Sequence, residues 1–206
     1  KFRNSQRLRY SFGPCAHRKL TKVPVLDPIV ILIANYSIAL LFGLASYGKL
    51  SAFRVFCVTL EEYQLIPVKL VTVVAAVVTG LEVLISLGAF WQPVAQFAMF
   101  AASLLLSMYA AAIGINLVRG RRDIDCGCTG PARRQLLSGW LLLRNTGLIL
   151  VALLGAAVPS ERIVVAADLV LVALALIAVM AIYAAINQLM VNAPRLDALD
   201  SIMDAG

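Results

Sequence analysis

Five long apolar runs leave this chain few folds to choose from. They cover Ile29 to about Tyr47, Val68–Phe90, Val94–Val118, Trp140–Val158 and Ile163 to about Met190. A helix needs ~20 predominantly apolar residues to cross ~30 Å of hydrocarbon, and each run is near that length. The first and third carry no charge. The second is interrupted by Glu82, the fourth contains Arg144 and the fifth Asp168. Continuous runs argue against membrane strands, which alternate apolar and polar residues over ~10-residue segments. Pro28, Pro67 and Pro93 stand at the starts of the first three runs, and proline fits the first turn of a helix. The expected fold is therefore all-α, a polytopic transmembrane helical bundle.

Charge placement supports a membrane and excludes a nucleic-acid binder. The net charge is +7 over 206 residues, yet only 14% of residues are charged and 61% are hydrophobic. A soluble domain has about a quarter charged residues. Seven of the 18 basic residues precede Val23, and most others flank apolar runs. Such charges hold anionic lipid head groups. The chain divides into a basic tail (1–27), a four-helix bundle (28–158), a fifth transmembrane helix (159–191) and a loosely held acidic tail (192–206) carrying Asp197, Asp200 and Asp204. The basic tail precedes an apolar run longer than a signal-peptide core, so it reads as retained rather than cleaved.

Five crossings fix which segments share a side. The N-terminal tail, the Trp91–Pro93 turn and the Pro159–Arg162 turn fall on one side. The Gly48–Ile66 and Arg119–Gly139 segments and the C-terminus fall on the other. Cys57 thus shares a side with Cys126 and Cys128, opposite Cys15 and His17. Seven basic residues before the first helix, against Lys49 and Arg54 after it, place the N-terminus inside and the cysteine segments outside. In the Gly48–Ile66 segment, Leu50, Phe53, Cys57 and Leu60 form one apolar stripe. This predicts a short amphipathic surface helix with Cys57 on its apolar face. Small residues four apart, Ala98 with Ala102 and Ala110 with Gly114, suit close helix approach in lipid.

Cys126-Gly127-Cys128 is the most informative motif. A Cys-x-Cys disulfide closes only as a tight, strained ring, and strain makes a disulfide easier to reduce. Glycine eases the backbone geometry. Five arginines (Arg119, Arg121, Arg122, Arg133 and Arg134) favour thiolate, while Asp123 and Asp125 oppose it. Three readings stay open on the residues: a redox-active dithiol, a soft-metal site with Cys57 as third ligand, and an inert turn. The Cys15-x-His17 pair carries no specific signal.

Intramembrane charges are costly and usually face the bundle interior. Glu82 lies ~21 Å along its helix from the cysteine side, and Arg144 ~6 Å along its own. That difference of ~15 Å predicts no direct pair. Arg144 is expected to reach outward to Glu61, Glu62, Asp123 or Asp125. Glu82 reads either as a proton-exchanging group beside a bound quinone or as a neutral, hydrogen-bonded carboxyl. Asp168 suits a helix N-terminus, where the dipole favours an anion.

The order of features resembles the MauE/DoxX family of redox-associated membrane proteins. The matching elements are Phe42-Gly43-Leu44-Ala45-Ser46-Tyr47-Gly48-Lys49-Leu50, Tyr63-Gln64-Leu65-Ile66-Pro67, Gly80-Leu81-Glu82 and Asp125-Cys126-Gly127-Cys128-Thr129-Gly130. The last element points to the MauE branch. The long basic tail and the fifth helix depart from that pattern. The resemblance implies a DoxX-like four-helix core, an inner-membrane location and a role in periplasmic disulfide formation of the methylamine dehydrogenase maturation type. It also implies a thioredoxin-like extracytoplasmic partner and a disulfide-bearing substrate protein. Cys126 and Cys128 match the family's cysteine pair. The expected activity is thiol–disulfide exchange at Cys126 and Cys128, with Cys57 as relay. Electrons pass to or from a membrane quinone, with Glu82 and Arg144 as the residues at that site, or only between proteins. The alternatives are a non-catalytic assembly factor of a larger membrane complex and a metal-binding chaperone.

Overall fold

The computed structural model describes residues 26–121, 138–160 and 162–203, as backbone from residue 190 onward. Six helices follow in order: α1 (Pro28–Ser51), α2 (Phe53–Glu62), α3 (Val68–Phe90), α4 (Gln92–Val118), α5 (Gly139–Gly155) and α6 (Ala166–Met203). Four are long and apolar enough to cross a membrane: α1, α3, α4 and the Ala166–Leu189 part of α6. α5 is apolar but has 17 residues, near the lower limit for a span. The chain is thus a multi-pass membrane helical bundle. The helical backbone continues through Met203, beyond the expected start of the acidic tail.

Local chemistry sets the helix ends. Asp27 caps α1 by accepting the Ile29 N–H at 3.0 Å, and Pro28 takes the first helical position. α4 ends at Gly120, whose φ of +74° suits a residue without Cβ. There the Gly120 N–H donates to the Leu117 carbonyl and the Arg121 N–H to the Asn116 carbonyl, each at 3.0 Å. This Schellman closure satisfies two terminal carbonyls and turns the chain out of the helix just before the cysteine motif.

Helices α1, α3, α4 and α5 pack in that cyclic order, with α2 beside α3 and α6 against α1. Ile38, Phe42, Met99, Leu105 and Ala152 belong to the main buried cluster. Lipid is as apolar as leucine, so close packing rather than water exclusion holds such helices together. Ala98 and Ala102 lie buried on α4, as their spacing predicts, while Ala110 and Gly114 are half-buried. At Gly155 an added Cβ would collide with Asn35 Oδ1 and lie 3.1 Å from Met99 Sδ, so glycine permits the close approach of α5. Ser86 Oγ ties α3 to α1 through the Ala39 carbonyl at 2.8 Å.

The two ends of the bundle are distinct. At one, Leu26 pairs with Pro159, Arg162 bridges Asp27 and Asp168, and Gln96 Nε2 donates to the Ala156 carbonyl. This agrees with the side assignment from counting crossings. At the other end, Tyr63, just after α2, packs with Ile113 and Leu141.

Candidate functional site

The functional residues gather where α1, α3 and α4 meet below α2. Lys49, near the end of α1, forms a buried ion pair with Glu82 of α3; the two side chains are 3% and 1% exposed. Tyr109 of α4 donates to the same Glu82 oxygen at 2.6 Å and accepts from Lys49 Nζ at 3.2 Å. The ammonium also lies 4.9 Å from the Phe56 ring centroid and 5.0 Å from that of Tyr109. Such packing contributes cation–π attraction in a dry site. Glu82 Oε2 is buried without a hydrogen-bond partner among the described residues.

Lys49 therefore does not act as a flanking surface charge. The sequence marks it as a basic residue after the first apolar run, but α1 continues through Ser51 and its side chain stays inside. Tyr109 lies in a run without charges, and its hydroxyl is the only local sign of its polar role. Neither residue entered the sequence-based site.

Two cavities meet at Lys49 and Tyr109. One, of about 260 Å³, lies under α2 and is bounded by Phe56, Thr59, Leu60 and Tyr63 from that segment and by Val78 and Ile113 from the bundle. The other, of about 250 Å³, lies among α1, α5 and α6 and reaches Glu82, Arg144, Asn145 and Asn187. Together they give the bundle a charged centre with an apolar space under α2 and a partly polar one toward α5 and α6.

The inward face of α2 differs from the expected one. Thr59 and Tyr63 are buried and Leu50 is 60% exposed, whereas Cys57 is half-buried. The expected stripe treats Gly48–Ile66 as one continuous helix. The chain breaks at Ala52 (φ −137°, ψ 51°), which separates Leu50 on α1 from the stripe, while Phe53, Cys57 and Leu60 stay together on one half-buried face of α2.

The depth of Arg144 departs from expectation, while Asp123 and Asp125, two of its expected partners, lie outside the described residues. Its Nη1 donates to Asn187 Oδ1 of α6 at 3.4 Å, and it lines the same cavity as Glu82. The depth argument measured each helix from its own start, which assumes level starts. The Gln96–Ala156 hydrogen bond gives a common origin. Tyr109 stands thirteen residues along α4 from Gln96, and Arg144 twelve residues along α5 from Ala156. Both are then about 18–20 Å from that contact, at the same level as the Glu82 cluster. The short α5 simply begins deeper than α4 ends.

Asp168 takes a structural position. It accepts the Val165 N–H at 3.1 Å and pairs with Arg162 at 2.8 Å, the arrangement of an acidic residue in the first turn of α6. Cys15, His17, Asp123, Asp125, Cys126 and Cys128 lie outside the described residues. The cysteine segment leaves the described chain at Arg121 and rejoins it at Ser138, next to α4 and α5 respectively.

A family model described as methylamine utilisation protein MauE matches residues 27–158, from the cap of α1 to just past α5. The methylamine utilization protein MauE of Paracoccus denitrificans is 36% identical over 142 residues, which cover 66% of this chain and 76% of that protein. MauE of Methylophilus methylotrophus is 30% identical over 169 residues, covering 82% and 89%. No solved structure matches. With its matched bundle and these relatives, the chain belongs to the MauE family.

Proposed function

We propose that this protein is a membrane thiol–disulfide redox protein of methylamine utilisation, forming or isomerising disulfides in an extracytoplasmic partner. The observation that carries the reading is the sequence Cys126-Gly127-Cys128 between α4 and α5, two helices whose flanking ends lie at the bundle end that also holds Cys57 on α2. The relatives' part in methylamine utilisation supports the biological setting. The proposed orientation puts the N-terminus in the cytoplasm and this end outside the inner membrane, as the basic tail favours.

In the oxidising direction, a partner thiolate attacks the Cys126–Cys128 disulfide. That S–S bond breaks as a mixed disulfide forms. A second partner thiolate then displaces the remaining cysteine. The partner gains a disulfide, and Cys126 and Cys128 are left as a dithiol. Isomerisation uses the same attack without net electron transfer. Cys57 relays by the same exchange from its edge position on α2. The partner classes are a thioredoxin-like protein and the disulfide-bearing substrate.

The test traps mixed disulfides in cells with a thiol-blocking quench. Wild type gives a covalent adduct with its partner, and the Cys126→Ser/Cys128→Ser variant gives none. Undiminished partner maturation in that variant overturns the reading. The second reading, a non-catalytic assembly factor, draws on α6, which packs on α1 and leaves most of its apolar surface outward. It requires the same cysteine variant to mature the partner normally and outward α6 substitutions to abolish maturation.

A further inference from the structure

We infer that the cavity among α1, α5 and α6 binds the neutral head of a membrane quinone. The inference deepens the redox reading, on which only the electron transfer itself rests.

The walls set the chemical class. The cavity reaches the outer surface of the bundle between α1 and α6, where Leu44 and Ala184 are both exposed within spanning helices. An occupant with an apolar tail can therefore enter sideways from lipid. Its inner end is polar. Among the described residues, Glu82 Oε2 is a buried acceptor without a partner and Asn145 Nδ2 a buried donor without one; their residues are 1% and 2% exposed. A buried polar atom left unpaired forfeits the hydrogen bond it had in water, so both favour a ligand that satisfies them. A quinone carbonyl accepts from the Asn145 amide. A quinol hydroxyl donates to the Glu82 carboxylate. One head thus complements the site in both redox states.

Depth selects against a phospholipid head group. Glu82 lies fourteen residues from one end of α3 and eight from the other, or about 21 and 12 Å. The cations that line the cavity are already engaged, Lys49 by Glu82 and Arg144 by Asn187, so a phosphate drawn to that level would lose its hydration, at the cost of an ion in hydrocarbon, for charges that already have partners. A neutral ring resides there without that penalty. The volume of about 250 Å³ suits a single substituted ring rather than a whole lipid.

The site supplies an oxidant class for the proposed dithiol. Dithiol plus quinone gives disulfide plus quinol. Two electrons and two protons leave the cysteines, and the quinone takes up both pairs, so no further co-reactant is needed.

The test measures equilibrium binding of decylubiquinone to the full chain in phosphatidylcholine nanodiscs, without thiol substrate. Saturable binding is expected, weakened about tenfold or more by Asn145→Leu, which removes one hydrogen bond. Because a buried substitution can disturb folding, Ala184→Trp blocks the mouth from an exposed position and is expected to weaken binding similarly. Leu150→Trp, on an exposed face of α5 away from the cavity, leaves it unchanged. Absence of saturable binding, insensitivity to Ala184→Trp, or displacement by phosphatidylglycerol overturns the inference. Mixed-disulfide trapping is scored separately. Trapping without quinone binding sinks this inference alone, and quinone binding without trapping sinks the redox reading alone.

Discussion

Two ion-pair sites among the described residues follow opposite rules. Lys49–Glu82 is dry, with side chains 3% and 1% exposed. Arg162–Asp27 is wet, with both side chains nearly half exposed, and Arg162 continues to the buried Asp168. In water, such pairs contribute little and are screened by salt. In the dry site, each charge depends on the other because neither has water to fall back on. One protein thus uses ion pairing as a light fastening at one end and as an obligatory unit at its centre.

Breaking the dry pair gives the largest expected effect. Glu82→Ala leaves Lys49 as an uncompensated buried charge and should destabilise the fold by about 3–5 kcal/mol, measured by reversible denaturation in mixed micelles. The double variant Lys49→Met/Glu82→Leu should recover most of that loss. If the double variant is as unstable as the single one, packing rather than charge compensation governs the centre. A smaller effect is expected in the apolar half, where Gly155→Val forces a side chain against Asn35 and Met99. Overpacking of this kind costs about 1–3 kcal/mol, and the same denaturation assay compares the two regions directly.

The wet pair should give the smallest effect, and one that depends on conditions. The Asp27 carboxyl is held below its usual value, first by the Ile29 amide and then by Arg162. A depressed carboxylate stabilises the fold above its unfolded titration range, and this contribution is lost as pH falls through the folded one. Asp27→Asn should therefore flatten the acid side of the stability profile. Arg162→Gln should leave most of that slope, because the Ile29 amide remains. High salt should weaken the part of the Arg162→Gln effect that comes from Asp27, while the part from the buried Asp168 should persist. An unchanged acid slope in Asp27→Asn would show that the cap does not couple to the fold.

The contrast also explains what the sequence could disclose. The spans were legible because each is a continuous apolar run, and prolines mark three starts. Asp168 was legible because an acid at a helix start has a local electrostatic reason. The central cluster was not, because its members come from three helices and each has an ordinary local explanation: Lys49 as a flank, Tyr109 as an aromatic in lipid. Only Glu82, a charge in the middle of a run, signalled that the interior needed a partner. Arg144 was misplaced because depth depends on how helices are staggered, and stagger is set by contacts such as Gln96–Ala156. Leu50 falls off the stripe of α2 because a break at one residue, Ala52, resets the helical phase before Phe53.

The pairing of residues 26–27 with residues 159–162 also has a consequence in time. Arg162 donates to Asp27 across 135 positions of the chain, and the Ser160 N–H donates to the Leu26 carbonyl. Contacts of such sequence separation form late, after the intervening loop entropy has been overcome. During synthesis, α1 must enter the bilayer and wait through the insertion of α3, α4 and α5 before its own foot is fastened. The short connection between α5 and α6 thus completes the anchoring of the first helix, and a chain interrupted before residue 160 would hold its helices in lipid without ever closing that end.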